Sequence, residues 1–234
     1  MENTYPNISY FFIGVLICCL VGFHLTYTIK FPTFEGLSMV HHFHGLMLMS
    51  WFGMLIIQPF LIRYKKFTWH RKLGKVSYVL VPLILYSIFL VTKVSYYNGI
   101  AQQRPANLAL GGLALDIPDI FAFGLFYILA MVNSKNSAAH MRYMVGTSLL
   151  MIGPGLGRAL IIFGGIPFPV AVTYTMYFAE FITIVFIAFD YFKGHSVKPY
   201  LVVLATLVAL QLCWEFQMAS WWQAFGKWFV QVFF

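Results

Sequence analysis

The chain has 234 residues, of which 61% are hydrophobic and only 9% are charged, and its mean hydropathy is +0.80. Soluble domains carry about 25% charged residues, so this composition excludes a water-soluble fold. The net charge of +8 comes from Lys and Arg that lie between the apolar runs. That placement is typical of loops near anionic lipid and argues against nucleic-acid binding.

Apolar runs of about 20 residues, the length that crosses a bilayer, predict one all-α domain with about seven transmembrane helices. In chain order the predicted spans are 10–29, 40–62, 76–97, 118–133, 141–163, 168–190 and 200–222. The first run is too long for a cleaved signal peptide, so we expect a permanent span. The tail 223–234 is too short to cross and is expected to lie in the membrane interface.

Basic residues predict the orientation of the chain. Ten of the fifteen Lys and Arg belong to the loops and helix ends that follow the second, fourth and sixth spans. The positive-inside rule places these loops in the cytoplasm, with the N-terminus inside and the C-terminus outside. The ten are Arg63, Lys65, Lys66, Arg71, Lys72, Lys75, Lys135, Arg142, Lys193 and Lys198.

His44 and Arg63 lie about 28 Å apart along one helix, close to the thickness of the hydrocarbon core, so they are at opposite ends of the second span. The histidines therefore fall into two layers, one at each end of the spans. His24, His41 and His44 belong to the layer away from the basic loops. His41 and His44 are three residues apart and share a helix face, so with His24 they could hold a metal ion. Alternatively, they are interface histidines that bond to water, headgroups or carbonyls.

The second layer contains His70 and His140, which open the third and fifth spans at similar depth. Two such histidines could be axial ligands of one haem b. They could equally be interface residues near anionic headgroups, or cap the starts of their helices.

Ionisable residues inside a bilayer are functional hypotheses by default. Glu180 lies near the middle of the sixth span, Glu215 in the outer half of the seventh, and Arg158 late in the fifth. Arg158 could form an ion pair with either glutamate and so join the helices, or could hold a propionate or another anion. The glutamates could instead act as acid–base catalysts.

Proline and glycine predict two local features. Asp116 and Asp119 flank Pro118, a pattern typical of a helix start. The run Gly153-Pro-Gly-Leu-Gly-Arg158 is expected to interrupt the fifth span, either as a pocket wall or for close helix packing.

The motifs H44-G45, H70-R71-K72-L73-G74 and H140-M141-R142, with Arg158, resemble those of a widespread group of uncharacterised bacterial membrane proteins. The resemblance covers residues 40–160, implies a bacterial inner-membrane location, and transfers no activity. A looser similarity links the chain to diheme membrane cytochromes of the b561 type, which have histidine pairs at two depths. The histidines of this chain differ from that pattern because they open the helices.

Three functions are compatible with this sequence. The first is a redox protein that binds haem or a transition metal and exchanges electrons with a lipid-soluble partner such as a quinone. The second is an intramembrane metal-dependent enzyme that acts on lipid, with Glu180 or Glu215 as acid–base. The third is a non-enzymatic transporter or assembly factor.

Overall fold

The computed structural model describes residues 5–234, which form helices and no strands. Six helical segments within that range are long and apolar enough to cross a membrane, and a shorter apolar helix precedes them. This confirms the all-α membrane fold and agrees with about seven spans. The helices are α1 (Ile8–Phe23), α2 (Met39–Arg63), α3 (Phe67–Ala101), α4 (Ala106–Val132), α5 (Ser137–Leu150), α6 (Ile152–Gly164), α7 (Phe168–Phe192), α8 (Lys198–Glu215) and α9 (Ser220–Phe233).

Several helices extend beyond the apolar runs that predicted them. The third helix has 35 residues, and the fourth begins at Ala106, so the predicted start at 118 is wrong. Pro118 lies inside α4, and Asp116 and Asp119 are therefore interior residues of a helix. One missing backbone hydrogen bond at a proline is tolerated in a long membrane helix. Residues 1–4, which include the predicted cytoplasmic N-terminus, lie outside the described residues.

Helices α2 to α5 form a four-helix bundle. Each helix packs against the next in the chain. The first and last of the four, α2 and α5, are joined by the Trp51 indole N–H, which donates to the Thr147 hydroxyl at 3.1 Å. Helix α3 therefore faces α5 across the bundle, and α2 faces α4. We call the end with loops 64–66, 133–136 and 193–197 the basic end, and the other the opposite end.

Helices α5 and α6 are separated by a break at Met151, two residues before Gly153. The run from Gly153 to Arg158, the predicted interruption, itself lies inside α6. The Cys19 thiol of α1 donates a hydrogen bond to the Met151 carbonyl at 3.1 Å. Next to the break α1 and α6 touch backbone to backbone. A Cβ atom on Gly155 would lie 2.6 Å from the Cα of Cys19, and one on Gly22 would overlap the Gly155 carbonyl.

A buried ion pair joins α5 to α7 at the basic end. The Arg142 Nε and Nη2 atoms donate to the two Asp190 carboxylate oxygens at 2.6 and 2.8 Å, and both side chains are fully buried. The Tyr5 hydroxyl donates to the same carboxylate at 2.9 Å. Burial and this hydrogen bond raise the pKa of Tyr5, so the phenol keeps its proton.

Helix α9 packs against α3 and α4 at the opposite end of the bundle. The Trp222 indole donates to the Leu110 carbonyl at 3.1 Å, and the Tyr97 hydroxyl donates to the Phe234 carbonyl at 3.0 Å. The tail is thus a helix held by these contacts, and its Trp221 and Trp228 side chains are exposed, as is common for tryptophan at a membrane interface.

We predict that Asp190→Ala lowers the thermal stability of the detergent-solubilised protein strongly. Breaking a buried ion pair by removing one of its partners costs about 3–5 kcal/mol. Thermal unfolding followed by circular dichroism measures the effect. Glu35→Ala removes an exposed carboxylate and serves as the control; equal melting temperatures for the two variants would contradict the structural role of the pair.

Gly22→Ala is expected to separate α1 from α6, because the added methyl group meets backbone rather than a flexible side chain. Overpacking of this kind costs about 1–3 kcal/mol. The matched control is Gly14→Ala in the same helix, where a Cβ atom meets nothing within 4 Å. The first variant should melt below the wild type and the second at or above it, because alanine favours helix.

Candidate functional site

The basic end of the bundle contains a histidine pair. His70 lies in the first turn of α3 and His140 in the first turn of α5, and the two interact electrostatically. The Nδ1 atom of His140 is 2.8 Å from the Ala130 carbonyl oxygen, which can only accept. His140 therefore carries its proton on Nδ1, and its Nε2 lone pair is available to a ligand.

Two polar atoms in this region are buried without a hydrogen-bond partner among the described residues. These are the Nδ1 atom of His70 and the Oε1 atom of Gln58. The Gln58 amide nitrogen donates to the His70 backbone carbonyl at 3.3 Å, so the two side chains are neighbours. A buried polar atom left unpaired costs about 1–3 kcal/mol, which favours a ligand site here over a helix cap.

At the opposite end, His44 is the histidine that points into the bundle. Its Nδ1 atom lies 3.1 Å from the Ser87 hydroxyl of α3. The single hydroxyl proton of Ser87 is donated to the Ile84 carbonyl at 2.7 Å, so Ser87 accepts from His44. As in His140, the Nε2 lone pair is left free.

The other histidines of that layer point elsewhere. His41 turns back, and its Nδ1 accepts from the Ser38 backbone N–H at 3.0 Å. His42 bonds to the Tyr27 hydroxyl at 2.6 Å, and His24 is exposed at the end of α1. No group of three His, Cys, Asp or Glu is arranged to hold a metal ion within residues 5–234. The predicted site of His24, His41 and His44 is thus not supported.

Arg158 interacts electrostatically with His44 and with Asp116. Its guanidinium lies 4.2 Å from the centre of the Phe23 ring, and Nη1 donates to the Pro154 carbonyl at 2.9 Å. In the described chain Arg158 forms no ion pair with Glu180 or Glu215, so that expected pairing is wrong. The helix break places Arg158 beside α1 instead.

The two glutamates lie apart from the histidines. With the Gln211 amide oriented to satisfy both its ends, its nitrogen donates to Glu180 at 2.7 Å and its oxygen accepts from the Tyr177 hydroxyl at 3.1 Å. Glu215 is exposed at the end of α8 and lines an open cavity of about 290 Å³. Their predicted acid–base role remains a prediction.

Comparisons with protein-family models, curated proteins and solved structures find no match to this chain. The resemblance to the uncharacterised bacterial group and to b561-type cytochromes therefore stays a prediction.

Sequence reasoning missed Ser87, Gln58 as a neighbour of His70, and Asp190 as the partner of Arg142. Asp190 had a usable signal, because it is an acidic residue at the basic end of an apolar span and Arg142 lies at the same depth. Ser87 had none, since nothing in a single sequence tells which way a helix is rotated.

We expect the neutral forms of His44 and His140 to be protonated at Nδ1, because each has an acceptor there. Nitrogen-15 NMR chemical shifts of labelled histidine distinguish the two tautomers. In Ser87→Ala, His44 should lose its preference for the Nδ1-protonated tautomer, and His140 should keep it. An Nε2-protonated His44 in the wild type would contradict the hydrogen-bond assignment.

Proposed function

We propose that this integral membrane protein is a redox protein that holds haem b between His70 and His140 and exchanges electrons with a lipid-soluble partner. The observation that carries the proposal is the hydrogen bond from His140 Nδ1 to the Ala130 carbonyl, which leaves Nε2 as the ligating atom of an imidazole that interacts electrostatically with His70. Ligand histidines usually donate their other ring N–H in this way, which makes the ligating nitrogen more basic.

The residues present fit such a group. Imidazole is a common axial ligand of haem iron, and the two histidines come from helices that face each other across the bundle. The unpaired Nδ1 of His70 and Oε1 of Gln58 can each gain a partner when a ligand or water enters. Arg71, next to His70, is an exposed cation that can pair with a propionate.

The residues of this chain have separate tasks. His70 and His140 would hold the haem iron, and the Ala130 carbonyl fixes the His140 ring. The apolar helices exclude water, and Trp51 and Tyr127 pack as a pair with ring centroids 6.0 Å apart above the histidine layer. When bound, haem supplies a one-electron couple. A low dielectric and histidine ligation are the means by which the protein sets its potential.

An absorption spectrum of the detergent-purified protein tests the proposal. Cells are supplied with haem precursor and iron, and spectra are recorded oxidised and after dithionite reduction, with metal analysis of the same sample. We expect a Soret band that shifts on reduction and is lost in His70→Ala and in His140→Ala. His195→Ala, an exposed histidine at the same end, is the matched control and should keep the band.

Other outcomes point elsewhere. Stoichiometric zinc, iron or copper without a Soret band would overturn the haem assignment and favour the metal-dependent enzyme. Neither haem nor metal in a correctly folded preparation would overturn the redox function. A Soret band that survives both histidine substitutions would place the ligands at other residues.

A further inference from the structure

A carboxyl group lies at the middle of α7. Glu180 follows Phe168 by twelve residues and precedes Phe192 by twelve, so it is about 18 Å from each end of the helix. Tyr177 and Ile184, one turn before and one turn after Glu180 on the same helix face, are both exposed on the surface of the bundle. That surface meets hydrocarbon in a membrane, and the half-buried Glu180 side chain lies beside it, at the depth where an ionised group is most costly.

No ion pair in residues 5–234 includes Glu180. Helix α7 packs against α6 and α8, and the side chain that faces Glu180 from α8 is the uncharged Gln211. An unpaired carboxylate in hydrocarbon must therefore gain either a proton or a cation from outside the chain. The charged and titratable residues of these helices are Arg158 on α6, Tyr174, Tyr177, Asp190 and Tyr191 on α7, and Lys198, Tyr200, Cys213 and Glu215 on α8.

The hydrogen-bond network around Glu180 suits both protonation states of the carboxyl group. With its nitrogen toward Glu180, the Gln211 amide donates to the two carboxylate oxygens at 2.7 and 3.2 Å and accepts from the Tyr177 hydroxyl at 3.1 Å. An ionised carboxylate can only accept, so this orientation fits it. A half-turn of the amide exchanges its oxygen and its nitrogen. The oxygen then accepts the O–H of a protonated Glu180, and the nitrogen donates to the oxygen of Tyr177.

The same three side chains are a poor site for a metal ion. Hard cations such as Ca²⁺ and Mg²⁺ require more oxygen ligands than Glu180, Gln211 and Tyr177 supply, whereas a proton needs one acceptor. We infer that Glu180 is a proton-binding site in the middle of the membrane, and that Gln211 turns its amide to satisfy the carboxyl group in both states. One O–H bond forms when the proton binds, and the carboxyl group becomes neutral.

Labelling with dicyclohexylcarbodiimide tests this site in protein reconstituted into liposomes. This probe partitions into lipid and reacts with protonated carboxyl groups, and peptide mass spectrometry locates the adduct. We expect an adduct at Glu180 that is absent from Glu180→Gln and kept in Glu215→Gln, the matched control at the end of α8. As the pH rises through the titration of Glu180, its labelling rate should fall, by about tenfold per pH unit above the midpoint.

Gln211→Leu tests the role of the amide. The ionised carboxylate loses more from this change than the neutral carboxyl group does, because hydrogen bonds to charged groups are the stronger ones. The midpoint of the labelling profile should therefore move up by about one to two pH units. Gln217→Leu removes a half-buried glutamine outside the network and should keep the midpoint of the wild type.

These outcomes do not depend on the haem proposal, because none of them involves the Soret band. Absence of an adduct at Glu180 in folded protein at low pH overturns the inference, since the carboxyl group is then paired with a cation or covered by a partner. A labelling rate that does not change with pH overturns it as well. An unchanged midpoint in Gln211→Leu overturns the role of the amide. Peptide mapping assigns the adduct in the wild type, so the test stands even where a variant does not fold.

Discussion

Hydrocarbon does not solvate charge, so a charged side chain within the membrane needs a partner of opposite charge. At the basic end Arg142 and Asp190 are such partners. The two fully buried side chains neutralise each other and tie α5 to α7, and Tyr5 adds the segment before α1. His140 precedes Arg142 by two residues on the same helix. The pair therefore also fixes the depth and rotation at which that imidazole is presented.

The two diagonals of the bundle carry different polar residues. Helices α3 and α5 carry His70 and His140 at the basic end, whereas α2 and α4 carry His44 and Asp116 at the other. At both ends the exposed nitrogen of a histidine is set by what the other nitrogen touches, a backbone carbonyl in one case and a hydroxyl in the other. One core thus holds two oriented histidines at different depths.

Hydrophobic runs and helix rise were sufficient to predict the helical class, most spans and the two histidine layers, because bilayer thickness sets the length of a span and helix geometry sets the depth of each residue in it. The direction of a side chain depends on the rotation of its helix about the helix axis and on local capping bonds, and the hydrophobic pattern of the sequence determines neither. His41 has the correct spacing to join His44, yet it bonds back to Ser38. Pro118 has the features of a helix start but lies inside α4, because the apolar residues before it continue the helix.

The helices differ greatly in length, and this has a consequence for the surrounding lipid. Helix α1 has 16 residues, or roughly 24 Å, whereas α3 has 35 residues, or roughly 52 Å. Lipid beside α1 must thin to match it, while the end of α3 rises beyond the acyl chains. Arg158, next to Phe23 at the end of α1, then lies near the locally lowered headgroups. The free-energy cost of holding its charge is therefore lower there than in the middle of the bilayer.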